Sequence, residues 1–413
     1  MTDFRMISRC GEGLALLLRL SREGYDVDFW VPPNVPEDLY EGLLPRVHSW
    51  RDGLDDETIL LVDSPGSGKL LDSVQNKSWG AGSFNDVLQF DRQFGFKIAR
   101  INALKVPQWQ RFYDVEQAIR FLKDNDGLWN VELPNGQIFY ERQSSESLIE
   151  LLNYSQAVTD FYLIQSIDGA EITLQGWYVA GQLVPGTLFS TVEQRRFLSG
   201  DYGPRCAAQS CIAWFWRPKK KRDGETTPTI YRHTLKKLEA FLRQGLYSGP
   251  LSLRLRISKA DGLPYFYGFE TGFAHLGLYA MSEGLDCKWG ILLVGLATDE
   301  MPPIQPSYDW LAGLSLSVPP YPYYAGTPNR LVRGPLDNEH VWPLDVKYVD
   351  DRHFTAGAHG VVAYITGRQS SRKQLAEQVG HLSEKIQIAD KQMRTDAFDF
   401  EDTFALLKDW RYF

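Results

Sequence analysis

The chain of 413 residues has a net charge of -8, with 43% hydrophobic and 23% charged residues. This composition is ordinary for a globular protein of several packed units, and it gives no general attraction to nucleic acid. No stretch approaches the roughly 20 uninterrupted apolar residues that a membrane span needs, and the N-terminus lacks the basic-then-apolar pattern of a secretory signal. We therefore expect a cytoplasmic protein with neither a membrane nor a nucleic-acid partner.

Two further features carry little functional signal. The four cysteines have neither paired metal-ligand spacing nor the density of a disulfide scaffold, so we expect reduced thiols. One basic run, RPKKKR at residues 217–222, precedes the turn-forming residues DGETTP. We interpret this run as a solvated loop, with a patch for nucleic acid or an acidic ligand as the alternative.

The N-terminal segment, residues 4–32, predicts a strand, a glycine turn, an amphipathic helix ending at Gly24 and a parallel second strand. The turn Gly11-Glu12-Gly13 lacks the third glycine of a dinucleotide fingerprint, and Glu12 would repel phosphate, so a plain turn is favoured. Residues 58–68, TILLVDSPGSG, repeat the pattern of a buried strand followed by a glycine loop. Ligands of open α/β sheets bind at that end of the strands.

From Asp91 onward the pattern changes to that of an α+β unit with antiparallel sheets. Helical spacing over 91–104 and 113–125 precedes two strands, and a further helix follows with Ser145 as its candidate N-cap. Alternating strands with Asp-Gly and Ala-Gly turns follow over 162–188. The remaining predicted elements are a helix over 229–246, a hairpin over 251–270, a helix near 372–386 and a last helix from 401.

The order of these pieces resembles the ATP-grasp fold, and more narrowly the phosphoribosylglycinamide synthetases (phosphoribosylamine-glycine ligases) in their divergent bacteriophage form. The stretches that carry the resemblance are residues 86–107, 162–184, 192–204 and 360–396. The resemblance implies an α/β and α+β chain with a Rossmann-like pre-ATP-grasp domain (1–88), an ATP-grasp domain (89–300) and a C-terminal closing domain (301–413). Within the ATP-grasp domain it implies a small subdomain at about 100–160 and a nucleotide-binding subdomain at about 161–300.

Enzymes of this family use ATP and Mg²⁺ to form an acyl phosphate, which an amine then attacks. The resemblance puts the adenine hinge at Ile164 and Gln165 and the ribose-binding carboxylate at Glu171. It puts a phosphate-facing cation at Arg92 and a metal-binding carboxylate at Glu270. The residues that it puts near the triphosphate or substrate are Arg195, Arg196, Arg394 and Asp396. Structural alternatives remain open, since the carboxylates also suit exposed strand positions and Arg92 a solvated helix end.

Several positions depart from the family pattern. The lysine expected before a proline in the small subdomain is Leu133, and the adjacent Glu132 has the wrong sign for phosphate. Arg254 stands where a second metal-binding acid is expected, and Gly272 replaces an asparagine ligand. In the first domain, residues 11–14 read Gly-Glu-Gly-Leu in place of Gly-Arg-Glu-His, which removes groups associated with the amine substrate.

Two hypotheses of function follow. In the first, the chain is an ADP-forming ligase with unknown carboxylate and amine substrates, a monomer or homodimer serving viral nucleotide or DNA-modification metabolism in the host cytoplasm. In the second, it keeps the fold without catalysis and acts as a binding or scaffolding subunit with a protein partner. The retained Glu171 and Glu270 favour the first, and Leu133 and Arg254 favour the second. Fold alone is weak evidence of activity.

Overall fold

The computed structural model describes residues 3–412, apart from 81, 135–137, 155–158, 217–218, 222–223, 227, 274, 301–303, 307–308 and 324–325. The basic run at 217–222 and the predicted turn at 134–136 therefore lie partly outside the described residues. Within the described part of the chain, no helix combines the length and the apolar character needed to cross a membrane.

The described helices are mostly short and amphipathic. Their bounds are α1 (Leu14–Arg22), α2 (Gly68–Leu71), α3 (Ser83–Phe90), α4 (Arg92–Ile101), α5 (Val115–Asp124), α6 (Ser145–Tyr154), α7 (Thr229–His233), α8 (Leu235–Gln244), α9 (Leu276–Ser282), α10 (Trp289–Ala297), α11 (Arg372–Lys385) and α12 (Glu401–Asp409). The predicted helix over 229–246 is divided at Thr234, whose Oγ1 donates to the backbone oxygen of Ile230 at 2.6 Å. Such back-bonding competes with the helical ladder.

The N-terminal unit confirms the predicted strand-helix-strand start. Its parallel sheet has the order β2-β1-β3-β4, from β1 (Asp3–Ile7), β2 (Asp26–Trp30), β3 (Ile59–Val62) and β4 (Ser78–Gly80). All four residues of β3 are buried, as its unbroken apolar run predicts. The carboxyl ends of β1 and β3 place residues 8–13 and 63–68 side by side.

A small antiparallel sheet packs on α5 and α6 and forms the small subdomain. Its order is β5-β8-β6-β7, from β5 (Trp109–Phe112), β6 (Leu128–Glu132), β7 (Ile138–Ser144) and β8 (Phe161–Gln165). Ser145 is not the cap of α6, because its hydroxyl donates to Asn125 and Gly127. The residue before it, Ser144, accepts the Ser147 N-H instead.

The central sheet is the largest in the described part of the chain and runs β16-β15-β9-β11-β12-β17-β22-β19, with β10 beside β9. It includes strands from both sides of residue 300. Its strands are β9 (Gly169–Val179), β10 (Gln182–Leu183), β11 (Phe189–Leu198), β12 (Tyr202–Phe215), β15 (Gly249–Ser258), β16 (Pro264–Glu270), β17 (Trp310–Ser317), β19 (Val341–Pro343) and β22 (Val361–Gln369).

Two small sheets complete the described strands. One pairs β13 (Lys219–Lys221) with β14 (Gly224–Thr226), and the other has the order β20-β21-β18-β23. The latter strands are β18 (Leu331–Arg333), β20 (Val346–Val349), β21 (Arg352–Thr355) and β23 (Gln387–Ile388). A large apolar core links the N-terminal unit, α9, α10 and the C-terminal strands, and a second core lies between α4, α8, α12 and the other side of the central sheet.

Candidate functional site

A cleft separates one face of the central sheet from the small subdomain. Side chains two residues apart on a strand share a face, so Arg254 and Arg256 of β15 point to the same side. In the register of the sheet, Arg256 lies opposite Glu171 of β9, and Ser252 lies opposite Glu270 of β16. Strand alternation therefore brings these arginines and both predicted site glutamates to one face.

At the end of the cleft next to α4, Arg92, the predicted phosphate-facing cation, faces a carboxylate of this chain. Arg92 begins α4 and is 6% exposed, and its Nη2 donates to Glu132 at 2.9 Å and to the Tyr267 oxygen at 2.7 Å. Arg254 Nη2 donates to the same carboxylate at 2.9 Å. Burial lowers the pKa of Arg92, and Glu132 opposes that shift. With Glu132 itself only 1% exposed, the three groups form a buried cluster.

Glu171, the predicted ribose-binding carboxylate, has a guanidinium on each oxygen. Arg205 donates to Oε1 at 2.8 Å, and Arg256 donates to Oε2 at 3.1 Å. Burial opposes ionisation of Glu171, but these two guanidinium groups outweigh it and hold the pKa of the carboxyl well below its ordinary value. Glu171 is therefore a firmly ionised partner of arginines.

The predicted adenine hinge is occupied at its backbone. Ile164 is fully buried within β8, and the Gln165 N-H donates to the Gln108 oxygen at 2.8 Å. The Tyr267 hydroxyl donates to the Gln165 oxygen at 2.8 Å and accepts the Ile167 N-H at 2.8 Å. An adenine edge also offers one donor and one acceptor. The tyrosine thus takes the backbone oxygen of Gln165, one of the two predicted hinge residues, and the N-H of the nearby Ile167.

The predicted metal ligand Glu270 faces cations instead of other acids. Its Oε1 lies 3.6 Å from Arg195 Nη1 and 3.7 Å from Arg254 Nε. Burial raises the pKa of Glu270, but the two arginines more than offset this and lower it. Mg²⁺ prefers several oxygen ligands, usually including one or two carboxylates. No group of three or more metal-binding side chains occurs in the described ranges, and Glu270 would have to leave its two arginines to bind Mg²⁺.

Arg394 and Asp396 join the C-terminal region to the turn between β11 and β12. Arg394, 2% exposed, donates to Asp201 at 2.8 Å and to Asp396 at 2.6 Å, and Asp396 accepts the Gly200 N-H at 2.7 Å. Burial opposes ionisation of Asp396, but Arg394 and Gly200 overcome it and hold its pKa at about 2. Arg196, on β11, donates to Glu141 of the small subdomain at 2.6 Å.

These contacts leave almost no free space in the cleft. The remaining cavity measures about 20 Å³, whereas ligand pockets usually enclose roughly 300–1,000 Å³. We call this region the self-filled cleft. Its lining residues are Asn130, Glu132, Ile138, Glu141, Glu171, Arg205, Arg254, Leu255, Arg256 and Tyr267.

Two larger pockets border the self-filled cleft and share Glu193 and Arg195. The polar pocket, about 780 Å³, lies between β11, the turn at 200–201 and residues 394–403. The junction pocket, about 240 Å³, lies between the N-terminal unit and the central sheet and is lined by Glu12, Asp63 and Glu270 among others. The polar pocket shares Glu141, Glu171 and Arg205 with the self-filled cleft, so ligand-sized space reaches the predicted ribose-binding carboxylate.

One carboxyl group that lines the junction pocket, that of Glu12, has a strongly raised pKa. Burial first, and the nearby Asp63 second, raise the pKa of Glu12 to about 7. Asp63 is itself held by the Gly13 N-H at 2.8 Å and by the hydroxyls of Ser8 and Ser64. Glu12 thus remains partly protonated near neutral pH and faces the pocket.

The two glycine turns of the N-terminal unit are filled by carboxylates of the chain. Asp63 accepts from the turn at Gly13, and Asp86 accepts the N-H groups of Gly66 and Gly68 at 2.6 and 2.9 Å. These N-H groups are the ones that an anion would need. This arrangement agrees with the interpretation of the first turn as a plain tight turn.

Sequence reasoning missed the partners that fill the cleft. Glu141, Arg205 and Tyr267 had no role in the predicted site, although they contact Arg196, Glu171 and the hinge. The alternating arginines of β15 were visible as a departure. Their acidic partners were not, because Glu132 is 122 residues from Arg254 and Glu171 is 85 residues from Arg256.

Comparison with solved structures places the fold among the ATP-grasp enzymes. Phosphoribosylamine-glycine ligase from Thermotoga maritima is 15% identical with a TM-score of 0.72, over 96% of this chain and 100% of that chain. L-amino acid ligase from Bacillus licheniformis is 16% identical with a TM-score of 0.60, over 94% and 98%. The biotin carboxylase domain of Hydrogenobacter thermophilus 2-oxoglutarate carboxylase, solved with magnesium ADP, is 11% identical with a TM-score of 0.63, over 94% and 91%.

These likenesses establish the fold: the chain has the ATP-grasp fold, with its α/β and α+β parts. No protein-family model matches the sequence, and no curated protein does so. At these identities the shared fold leaves the activity to be argued from the residues in the cleft.

Proposed function

We propose that this chain is a catalytically inactive ATP-grasp-fold protein, which acts as a binding or scaffolding subunit and does not form ADP. The observation that carries the proposal is the buried cluster of Arg92, Glu132 and Arg254. This cluster puts a carboxylate at the phosphate-facing arginine and an arginine beside the metal-binding glutamate.

Electrostatics support this proposal. Phosphoryl transfer relies on cations and metal ions that neutralise the phosphates. Here Arg92 and Arg254 share the single charge of Glu132, and Glu270 lies near Arg195 and Arg254. Separating a buried ion pair costs about 3–5 kcal/mol because it leaves an uncompensated charge. A nucleotide would have to meet that cost and also displace Tyr267 from the hinge.

The two open pockets supply the ligand site in this proposal. They meet at Arg195 and Glu193, adjoin the self-filled cleft and contain several charged side chains. A small polar molecule fits this space without displacing the cluster of Arg92, Glu132 and Arg254, none of which lines either pocket. The alternative ligand of a binding subunit is a protein partner, such as an active relative.

An ADP-release assay tests the proposal. The wild type is incubated with ATP, Mg²⁺ and panels of carboxylates and amines, beside an active phosphoribosylamine-glycine ligase as a positive control. We expect no ADP above that of a heat-inactivated sample. ADP release that requires Mg²⁺ and is lost in Glu270→Gln would contradict the proposal.

A second candidate is an ADP-forming ligase of the phosphoribosylglycinamide synthetase type, serving viral nucleotide or DNA-modification metabolism. Glu270 and Arg195 favour it, because both line the junction pocket next to the cleft, where a reacting carboxylate would have to lie. The same assay separates the two candidates, since only the ligase predicts ADP.

A further inference from the structure

Two glutamates of the small subdomain make ion pairs with the central sheet and α4, beside the apolar packing of Trp109 on Phe96. Glu132 bonds Arg92 and Arg254, both at 2.9 Å. Glu141 bonds Arg196 at 2.6 Å and Arg205 at 2.7 Å. Each glutamate therefore bridges two arginines that belong to other parts of the fold.

The burial of the two glutamates differs from that of an ordinary surface ion pair. The side chain of Glu132 is 2% exposed and that of Glu141 is 14% exposed, whereas the nearby pair of Arg142 and Asp168 is 38% and 68% exposed. Exposed pairs are screened by water and contribute little. Of these polar contacts, the pairs of Glu132 and Glu141 are therefore the ones whose loss should change the cleft most.

Without these two carboxylates, the cleft would be strongly basic. Arg92, Arg254, Arg196 and Arg205 would then line the α4 and central-sheet side of it without these partners, with Glu171 still paired to Arg205. Guanidinium groups in such an array bind phosphate oxygens through paired, charge-assisted hydrogen bonds. The two glutamates stand where the anionic groups of a ligand would bind.

We propose that Glu132 and Glu141 form an autoinhibitory latch, which closes the small subdomain over an arginine site for a polyphosphate chain. The inference rests on the proposed function, because it takes the wild-type cleft to be closed to nucleotide. It adds that the closure is made by two specific side chains and is reversible. We call these two residues the glutamate latch.

The latch predicts a distinctive pattern of ligand affinities. Arginines neutralise the phosphates directly, so binding to the opened cleft does not require Mg²⁺. Tyr267 still occupies the Gln165 oxygen and the Ile167 N-H, so an adenine gains no hinge contacts. ATP and inorganic tripolyphosphate should therefore bind the opened cleft about equally well.

The test is the double variant Glu132→Gln/Glu141→Gln, which keeps the side-chain shapes and removes both charges. Titration calorimetry with inorganic tripolyphosphate in EDTA should show binding at least roughly tenfold tighter than that of the wild type. Titration with ATP in EDTA should give a similar affinity. Hydrogen exchange measured by mass spectrometry should speed up in β6 and β7.

The matched control is Glu146→Gln/Glu150→Gln, which removes two exposed charges from α6 of the same subdomain. It should leave tripolyphosphate binding and exchange as in the wild type. If the double latch variant fails to fold, Glu141→Gln alone provides the test, because Glu141 is less buried than Glu132.

A folded latch variant that binds tripolyphosphate no better than the wild type, with unchanged exchange, would overturn the latch. A clear preference for ATP over tripolyphosphate would also overturn it. Failure of the proposed function looks different, because it would appear as ADP formation by the wild type.

Discussion

The self-filled cleft and the junction pocket lie side by side near Glu270. They differ in how their charged side chains are paired. In the cleft, Glu132 and Glu171 each meet two arginines, and the free volume is about 20 Å³. In the junction pocket, Glu12 faces about 240 Å³ of space, and its pKa is raised to about 7 by burial and by Asp63.

This contrast indicates how a binding fold can lose one ligand and keep room for another. A cleft whose charged groups are mostly paired internally offers a ligand few uncompensated groups, and the buried Arg92 Nε is one that lacks a partner among the described residues. A pocket with an unpaired carboxylate offers a reason to bind, because a ligand can relieve the cost of burying that charge. The predictions below test each side of the contrast, in order of expected effect.

The largest effect should come from removing the charge at the centre of the cleft. Glu132→Ala leaves Arg92 and Arg254 buried without their shared carboxylate, so we expect a loss of about 3–5 kcal/mol in the free energy of unfolding. Urea denaturation measures this loss. Glu146→Ala, on the exposed face of α6, is the control and should change stability by less than about 0.5 kcal/mol. Equal losses of stability in the two variants would show that the cluster of Arg92, Glu132 and Arg254 contributes no more than an exposed charge.

The second-largest effect should come from Tyr267, the tyrosine at the predicted hinge. Tyr267→Phe removes the hydroxyl that bonds the Gln165 oxygen and the Ile167 N-H, so we expect a loss of about 1–3 kcal/mol. Thermal and urea unfolding measure it. The control is Tyr265→Phe on the same strand, whose hydroxyl makes only a 3.4 Å contact with Asp261. If Tyr267→Phe loses no more stability than its control, the Gln165 oxygen and the Ile167 N-H must find other hydrogen-bond partners.

The junction pocket should show a pH-dependent effect. The pKa of Glu12 rises from 4.5 to about 7 on folding, so wild-type stability falls as pH rises through that window, since the folded state keeps a proton that the unfolded state has lost. Glu12→Gln lacks this titration. Its advantage over the wild type should grow between about pH 4.5 and 7 and stay constant above, at about 1–2 kcal/mol, because solvent around the half-buried side chain reduces the full effect of the shift.

Urea denaturation of both proteins from pH 4 to 9 measures the difference, which isolates Glu12 from the other carboxylates. A difference that is flat with pH would mean that Glu12 is solvated and that the contrast between the two regions is wrong.

The smallest effect should come from the exposed ion pair of Arg142 and Asp168, which lie 3.3 Å apart. Asp168→Asn should change the free energy of unfolding by less than about 1 kcal/mol, and added salt should reduce that change further. Urea denaturation at low and high salt checks this. A loss as large as that of Glu132→Ala would show that the exposed pair of Arg142 and Asp168 stabilises the cleft as much as the buried cluster does.

The sequence predicted the fold well because the fold depends on local patterns. The helical spacing that gives α4, the buried run of β3 and the alternation of β15 and β16 all appear where the pattern predicts them. Errors fell on single side chains. Ser145 bonds the preceding loop instead of capping α6, and Thr234 divides a helix, because tertiary and back-bonding partners outweighed local preference.

The candidate site was harder to predict, because it depends on ion pairs and hydrogen bonds between residues that are distant in sequence. The missing lysine at Leu133 and the arginine at 254 were visible as departures. Their consequence required knowing that Glu132 lies between Arg92 and Arg254, and that Tyr267 lies at the hinge. The roles of Arg195, Arg196, Arg394 and Asp396 stay predictions, although the structure places all four beside the polar pocket.

Calorimetric titration of the wild type with ATP, with and without Mg²⁺, tests the central claim most directly. Because the cleft is filled by Glu132, Tyr267 and the arginines on Glu171, we expect no binding heat up to about millimolar ATP in either condition. Binding at about micromolar ATP that requires Mg²⁺ would contradict the account, since it would mean that Glu270 holds the metal and that the cleft opens for nucleotide.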